Sequence, residues 1–342
     1  MKPLTIIAIL FSICSYGQNN DSLLSKLNYR EFDLHRKNDT ISFLVKGLKD
    51  TKIKKPIFLF CQGSGCPPLV LNDKYGTGEN FPFNVKPYLD KYYFVIISKP
   101  GIPVVSGQLD KAFNYVSDTI TNTFPKKFLE NDNLDYYVWQ ASNVIDFLSK
   151  QSWVDKSKIV VAGHSQGYRV AARTAVVNKK VTQLICTSSN PLGLLYWAVS
   201  RQTEMAIKGQ IPEDTAQANI NAIYDGLKAI MMQDKKEMVY PLLGYTSYKN
   251  FISWIPPAKD DLLKLSIPIF VAYGTNDYGR ISNDILPIEF YLRKKFNLTL
   301  KAYKNCDHFF TEQVYDDKGK VVKTIEHFDA VARDFFDWLA NH

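Results

Sequence analysis

Apolar residues along this chain fall into two kinds of run. The first is short and continuous: Pro56-Ile-Phe-Leu-Phe-Cys61, residues 92–98, Ile159-Val-Val-Ala162, residues 181–187 and Ile267-Pro-Ile-Phe-Val-Ala-Tyr273, with residues 298–303 read as the last strand after them. Runs of this length without polar alternation predict strands buried on both faces, as in a parallel sheet. The second kind has helical spacing. It takes in Val138, Ala141, Val144, Ile145 and Leu148, then Val170, Ala171, Thr174 and Val177, and finally Ile325, Phe328, Ala332, Phe335 and Leu339. Each set predicts a helix with one apolar face. Strands and helices alternate, which predicts an α/β domain with a mostly parallel central sheet and helices on both faces. Two further strands, over 29–36 and 40–45, precede the series around a turn at Lys37-Asn38-Asp39. Residues 18–26 read as a polar linker.

Residues 190–262 break the alternation. Prolines at 191, 256 and 257 bound them, and helical patterns lie around 194–205 and 215–232. Many apolar residues here look exposed, among them Tyr196, Trp197, Phe251 and Trp254.

The rest of the chain is organised around residues 158–173, which read as a buried strand, a sharp turn and a helix. Gly163-His-Ser-Gln-Gly167 matches G-x-S-x-G, the nucleophile elbow. Glycines two residues either side of Ser165 remove Cβ atoms that would clash in so tight a turn. The following helix would lay its N-terminal amides and dipole under Ser165 and favour negative charge there.

The run Trp153-Val-Asp-Lys-Ser-Lys-Ile-Val-Val-Ala-Gly-His-Ser-Gln-Gly167 resembles the α/β-hydrolase superfamily. It is similar to the prolyl-oligopeptidase-like and dienelactone-hydrolase-like branches. The resemblance covers most of 40–190 and 265–340 and is weak across 190–262. It implies an α/β-hydrolase fold with a helical cap insertion at about 190–262 over an active site.

The order Ser165, Asp277, His308 is that of the family's catalytic triad. Each residue follows its own predicted strand, where loops converge in open α/β sheets. Serine is a poor nucleophile and needs a base in reach. A histidine takes its proton, and an aspartate orients the imidazole. Of the five histidines, His35 lies in an early strand, His164 is held inside the elbow, His327 opens the last helix and His342 is terminal; His308 alone follows the last strand. For the acid, Gly274-Thr-Asn-Asp277 resembles the family's acid turn. Asp284 falls at a helix start, where an N-cap is the ordinary role. Asp307 adjoins His308, and adjacent loop side chains diverge.

In the family the loop after the strand ending at Cys61, often His-Gly, supplies one oxyanion-hole amide. Here it reads Gln62-Gly-Ser-Gly-Cys66, with Gln62 in place of that histidine. The resemblance implies the backbone N–H groups of Ser64 and Gln166 as the two donors, each worth about 3 kcal/mol in such sites. The glycines form neither a dinucleotide fingerprint nor a P-loop. Tyr196, Trp197 and Trp254, near the ends of the insertion, are the expected substrate-binding residues.

The N-terminus differs from the rest. Lys2 precedes the apolar stretch Leu4-Thr-Ile-Ile-Ala-Ile-Leu-Phe11, and Ser15-Tyr16-Gly17 offers small residues before Gln18. This reads as a cleavable signal peptide over 1–17, with the hydrolase domain over 18–342 and a secreted or periplasmic location. The formal charge of +8 falls to +7 once Lys2 is removed, and it is spread along the chain. No clustered basic run argues for nucleic acid. No apolar run is long enough for a stable membrane span. Cys61, Cys66, Cys186 and Cys306 show no zinc spacing. A Cys66–Cys306 bond and buried free thiols both remain open, as does the oligomeric state. No metal or cofactor motif is visible.

These readings converge on a secreted serine hydrolase that cleaves a small acyl or aryl ester through an acyl-enzyme. The alternatives are a peptidase or amidase of the oligopeptidase-like branch, and a non-catalytic binding protein on the same scaffold.

Overall fold

The apolar runs form the strands they predict, and several short elements that the pattern did not announce are added to them. The computed structural model of the chain describes residues 14–36, 39–233, 238, 241–245 and 247–342. The apolar stretch of the expected signal peptide and the turn at Lys37-Asn38 lie outside the described residues.

The chain enters through a helix, α1 (Cys14–Lys26), where a polar linker was expected. Leu24 is buried, and Leu23 and Leu27 pack beside it on one face of the sheet. Strands β1 (Tyr29–Arg36) and β2 (Asp39–Lys46) form an antiparallel pair, and β3 (Lys55–Cys61) follows. The short strands β4 (Val70–Asp73) and β5 (Gly76–Glu79) come before β6 (Tyr93–Ile97). After β6, β7 (Val105–Ser106) joins β4 in a small side sheet. Helices α2 (Lys126–Asn131) and α3 (Leu134–Leu148) come next. Asn133 caps α3, its side chain accepting from the Tyr136 N–H at 2.9 Å.

The elbow joins β8 (Val154–His164) to α4 (Gln166–Val177), and β9 (Gln183–Thr187) follows. The buried stripe of α4 includes Tyr168, Val170, Ala171, Thr174 and Ala175. Val177, expected on that stripe, lies past the last packed turn and is 53% exposed. The insertion holds α5 (Leu194–Ile207), α6 (Glu213–Met231), α7 (Tyr248–Ser253) and α8 (Ala258–Leu262). The sheet resumes with β10 (Ile269–Gly274), α9 (Arg280–Asp284), α10 (Leu286–Leu292) and β11 (Leu298–Tyr303). A hairpin of β12 (Thr311–Tyr315) and β13 (Val321–Glu326) precedes the closing helix α11 (Phe328–Ala340). Ile325, expected on the last helix, therefore sits in β13.

The main sheet has eight strands in the order β1-β2-β6-β3-β8-β9-β10-β11. Five of its seven pairings are parallel. Alternate residues of the buried strands feed two cores. Ile57, Leu59, Ile159 and Val161 pack under α3, α4 and α8. Phe58, Phe60, Val160 and Ala162 face α1 and α11. Both faces are thus covered, which is why the strands read as continuous apolar runs. From β3 the chain moves to β6 on one side, and from β8 to β9 on the other. The loops after β3 and β8 part there and leave a crevice at the carboxyl edge of the sheet.

Candidate active site

Ser165 sits at the crevice with φ +56° and ψ −119°, a conformation costly for a residue with a Cβ. Its surroundings hold it there. Its N–H donates to the Thr187 carbonyl at the end of β9 (3.0 Å), and its carbonyl accepts from the Tyr168 N–H (3.1 Å). A Cβ on Gly163 would lie 2.0 Å from the Gly167 carbonyl oxygen, and one on Gly167 2.0 Å from that of Cys61. Both elbow glycines are therefore steric necessities, and the second lets α4 press against the end of β3. Ser165 caps the N-terminus of α4, so the helix dipole favours negative charge at its side chain.

The chain brings Asp277 and His308 together from the ends of β10 and β11. His308 Nδ1 donates to Asp277 Oδ2 at 3.0 Å. Asp277 is 3% exposed, and its other oxygen accepts from the Gly279 N–H at 3.0 Å. Its loop packs closely: a Cβ on Gly274 would lie 2.1 Å from the Cys306 carbonyl oxygen. Asp307 serves the loop instead, its Oδ1 accepting from the Phe309 and Thr311 N–H groups (2.9 and 2.8 Å). Asp284 ends α9 rather than starting a helix, and it accepts from the Tyr273 hydroxyl and from Arg280. His164 is buried beneath the pair, with its ring 5.1 Å from that of His308 and Nδ1 3.1 Å from Thr187 Oγ1. Burial first, and then the neighbouring His308, push its pKa well below the ordinary value and keep it neutral.

The loop after β3 lies against the elbow. A Cβ on Gly63 would come within 3.9 Å of Ser165 Oγ. Gln62 does not face the pocket. Its amide donates to the Ile97 carbonyl (2.6 Å) and its oxygen accepts from Asn80 (2.7 Å), so it acts as a strut. Sequence reasoning missed Lys99, two residues past β6. Its ammonium is buried and donates to the Gly63 and Gly65 carbonyls (2.7 and 2.6 Å) and to Gln166 Oε1 (3.1 Å). A lysine just past the end of a buried strand was the available signal.

Ser64, Ser165, Gln166, Asp277 and His308 line one cavity of about 570 Å³. Its far wall comes from the insertion and the β10 loop. Trp197 lines it and carries the Arg201 guanidinium over its ring at 5.6 Å, and the same guanidinium lies over the Tyr278 ring at 5.4 Å. Arg201 follows Trp197 by one helical turn, a spacing visible in the sequence. Trp254 also borders the cavity but is 1% exposed, with its indole N–H on the Asp132 carbonyl (3.2 Å) and Arg169 over its ring. Tyr196 is different: it is 62% exposed and lines no part of the cavity, because one position along α5 from Trp197 turns it outward.

All four cysteines from Cys61 onward are free and buried. Cys66 packs with Ile102 and Phe128, and Cys306 lies in the core under α11, so no bond joins them. Burial pushes the Cys61 and Cys66 thiols up to about 12. Among the described residues no helix is long and apolar enough to cross a membrane, and no cluster of ligating side chains could hold a metal ion.

No family model and no curated protein matches the chain. Among solved structures it is similar to Porphyromonas gingivalis dipeptidyl peptidase 4, with a TM-score of 0.51 and 10% identity over 90% of this chain and 34% of that one. It is also similar to Est1E from Butyrivibrio proteoclasticus (TM-score 0.49, 13% identity, 91% and 98% covered). A third likeness is to Pyrococcus horikoshii acylaminoacyl peptidase (TM-score 0.48, 15% identity, 84% and 39% covered). The chain thus spans about a third of the dipeptidyl peptidase and 39% of the acylaminoacyl peptidase. The first likeness shows the fold: a mostly parallel α/β-hydrolase sheet with helices on both faces.

Proposed function

We propose that this chain, which has the α/β-hydrolase fold, is a serine hydrolase that cleaves a carboxylic ester of a small acyl or aryl group. The observation that carries the reading is the 3.0 Å Asp277–His308 bond, made at the rim of the cavity that Ser165 also lines. With Nδ1 committed to Asp277, the Nε2 of His308 is left to take the Ser165 proton as Oγ attacks the ester carbonyl. The resulting oxyanion is met by the N–H groups of Ser64 and Gln166, at the head of α4. His308 returns the proton to the leaving alcohol. Water, deprotonated by the same histidine, then releases the acid from the acyl-serine. Asp277 keeps the imidazole tautomer and stabilises the imidazolium.

A fluorophosphonate probe should label Ser165 in the wild type and leave Ser165→Ala unlabelled; a silent wild type would sink the reading. A panel of p-nitrophenyl esters of rising chain length, run against aminoacyl nitroanilides, separates an esterase from a peptidase or amidase. Export is a separate proposal, supported by the apolar stretch after Lys2. Mass spectrometry of the natively expressed protein should find a mature N-terminus near Gln18, and an intact Met1 would refute it.

A further inference from the structure

Lys99 has no part in the triad chemistry and does not line the cavity; its ammonium lies against carbonyls of the loop after β3. A buried lysine is costly unless its three N–H donors are all used. Here each has a definite acceptor: the carbonyls of Gly63 and Gly65 and Gln166 Oε1.

We propose that Lys99 is a positioning residue for the oxyanion hole, gripping these three acceptors and so aiming the two backbone N–H groups that receive the developing negative charge. The proposal rests on the hydrolase reading above.

The covalent geometry gives the reason. The Gly63 carbonyl and the Ser64 N–H belong to one planar trans peptide, so they point in opposite directions. Tying the carbonyl to Lys99 turns the Ser64 N–H away from the ammonium and toward the cavity that Ser64 lines. The next peptide but one is held at both ends: Lys99 takes the Gly65 carbonyl, and Asn114 Oδ1 accepts from the Cys66 N–H at 2.8 Å. Gly65 itself stands at φ +81°, and a Cβ there would lie 2.4 Å from Asn114 Oδ1. The loop therefore has little freedom to rotate its amides.

The third bond reaches the other half of the hole. Gln166 carries the second donor on its backbone and offers its side-chain oxygen to Lys99. Its amide nitrogen lies 3.5 Å from Asp132 Oδ1. One cation thus joins both loops that supply donors. An ammonium bound to the Gly63 oxygen also polarises that peptide, which strengthens its N–H as a donor. Glycine-rich loops have no side chains with which to fix their own peptide planes, and Lys99 supplies the missing constraint from another strand.

The surroundings of Lys99 act on its charge in opposite directions. Tyr137 lies beneath it, with 5.1 Å from Nζ to the ring centre, and Asp132 and Cys66 are the titratable groups nearby. Burial lowers the lysine to about 8, while Asp132 and then Cys66 pull it back up.

The test is Lys99→Met, which keeps length and removes the donors. On the best p-nitrophenyl ester, kcat should fall on the order of 100-fold, as for a displaced catalytic group, with KM little changed. The second-order rate of fluorophosphonate labelling should fall in parallel, because phosphonylation uses the same hole. A folded variant with wild-type kcat and labelling rate overturns the proposal. So does one whose activity loss merely follows its folded fraction. Should Lys99→Met fail to fold, Lys99→Gln decides: its amide keeps two donors on a shorter stem, so kcat and the labelling rate should both fall while KM changes little. A folded Lys99→Gln with wild-type kcat and labelling rate overturns the proposal. If the wild type is neither labelled nor active on any ester, the hydrolase reading fails first and the proposal with it. A labelled wild type beside an unaffected variant fails the proposal alone.

Discussion

The elbow with its neighbouring loops and the helices of the insertion are built by different means. Around Ser165 the backbone is packed against backbone. Cβ atoms on Gly163, Gly167 and Gly274 would lie 2.0, 2.0 and 2.1 Å from carbonyl oxygens. In the insertion, Gly209 and Gly244 also have positive φ, yet nothing lies within 4 Å of the Cβ either would gain. There α5 and α6 pair with each other, and Ile230, Leu242 and Phe251 make a core of their own. The root, at Trp254, Ala258 and Leu262, enters the main core, and Leu194 and Tyr245 pack against it. The chemistry is held by backbone against backbone, whereas α5 and α6 are held by side-chain packing; at the base of α5 Gly193 is tight again, with an added Cβ 2.9 Å from the Ile255 carbonyl oxygen. On the proposed function, this division lets one catalytic frame carry many pockets.

The largest effect expected from breaking this comparison is chemical. Ser165→Ala should lower kcat on the best ester by about 10⁴-fold or more while the melting curve stays close to wild type. Activity within tenfold of wild type would remove Ser165 from its role. Next comes a glycine contrast. Gly167→Ala should not give soluble, folded protein, since the Cys61 and Gln62 carbonyls cannot both move away. Gly209→Ala should fold and cost about 1–2 kcal/mol, the strain of a left-handed Cβ alone. Comparable melting temperatures for the two variants would refute the division.

A third contrast sits within the insertion. Trp254→Ala should destabilise by about 3–5 kcal/mol, as expected for a buried aromatic at the root. Trp197→Ala should change the chain-length profile of ester hydrolysis more than the melting temperature, because its ring faces the cavity and carries Arg201. A reversed pattern would move the functional wall to the root. The smallest effect belongs to Tyr196→Ala, which should stay within about 0.5 kcal/mol of wild type and leave the substrate profile intact. A shifted profile would mean that the outer face of α5 meets substrate.

Much of this was legible in the residues. Continuous apolar runs marked five strands of the main sheet, and the glycine spacing around Ser165 marked the turn. The choice of His308 over four other histidines followed from its place after the last strand, and the structure pairs it with Asp277. The hairpin between His308 and α11 was missed because β13 is largely exposed and carries no apolar alternation. Helix α1 was missed because Leu23, Leu24 and Leu27 are too few to stand out in a polar stretch. Trp254 and Tyr196 looked alike in sequence, yet one is buried and the other projects outward.

What the sequence determined by itself is local: which segments prefer strand or helix, where a backbone must turn without Cβ atoms, and which residue types end up at strand ends. Those properties follow from side-chain periodicity and the sterics of adjacent residues. Only the tertiary structure decided which ends meet. The bond from Lys99 to Gln166 joins residues 67 apart, and the one from Trp254 to Asp132 spans 122. Neither pair has any local signature. Their contact depends on the sheet order, which places the loop after β3 between those after β6 and β8, and on the insertion folding back over the same edge.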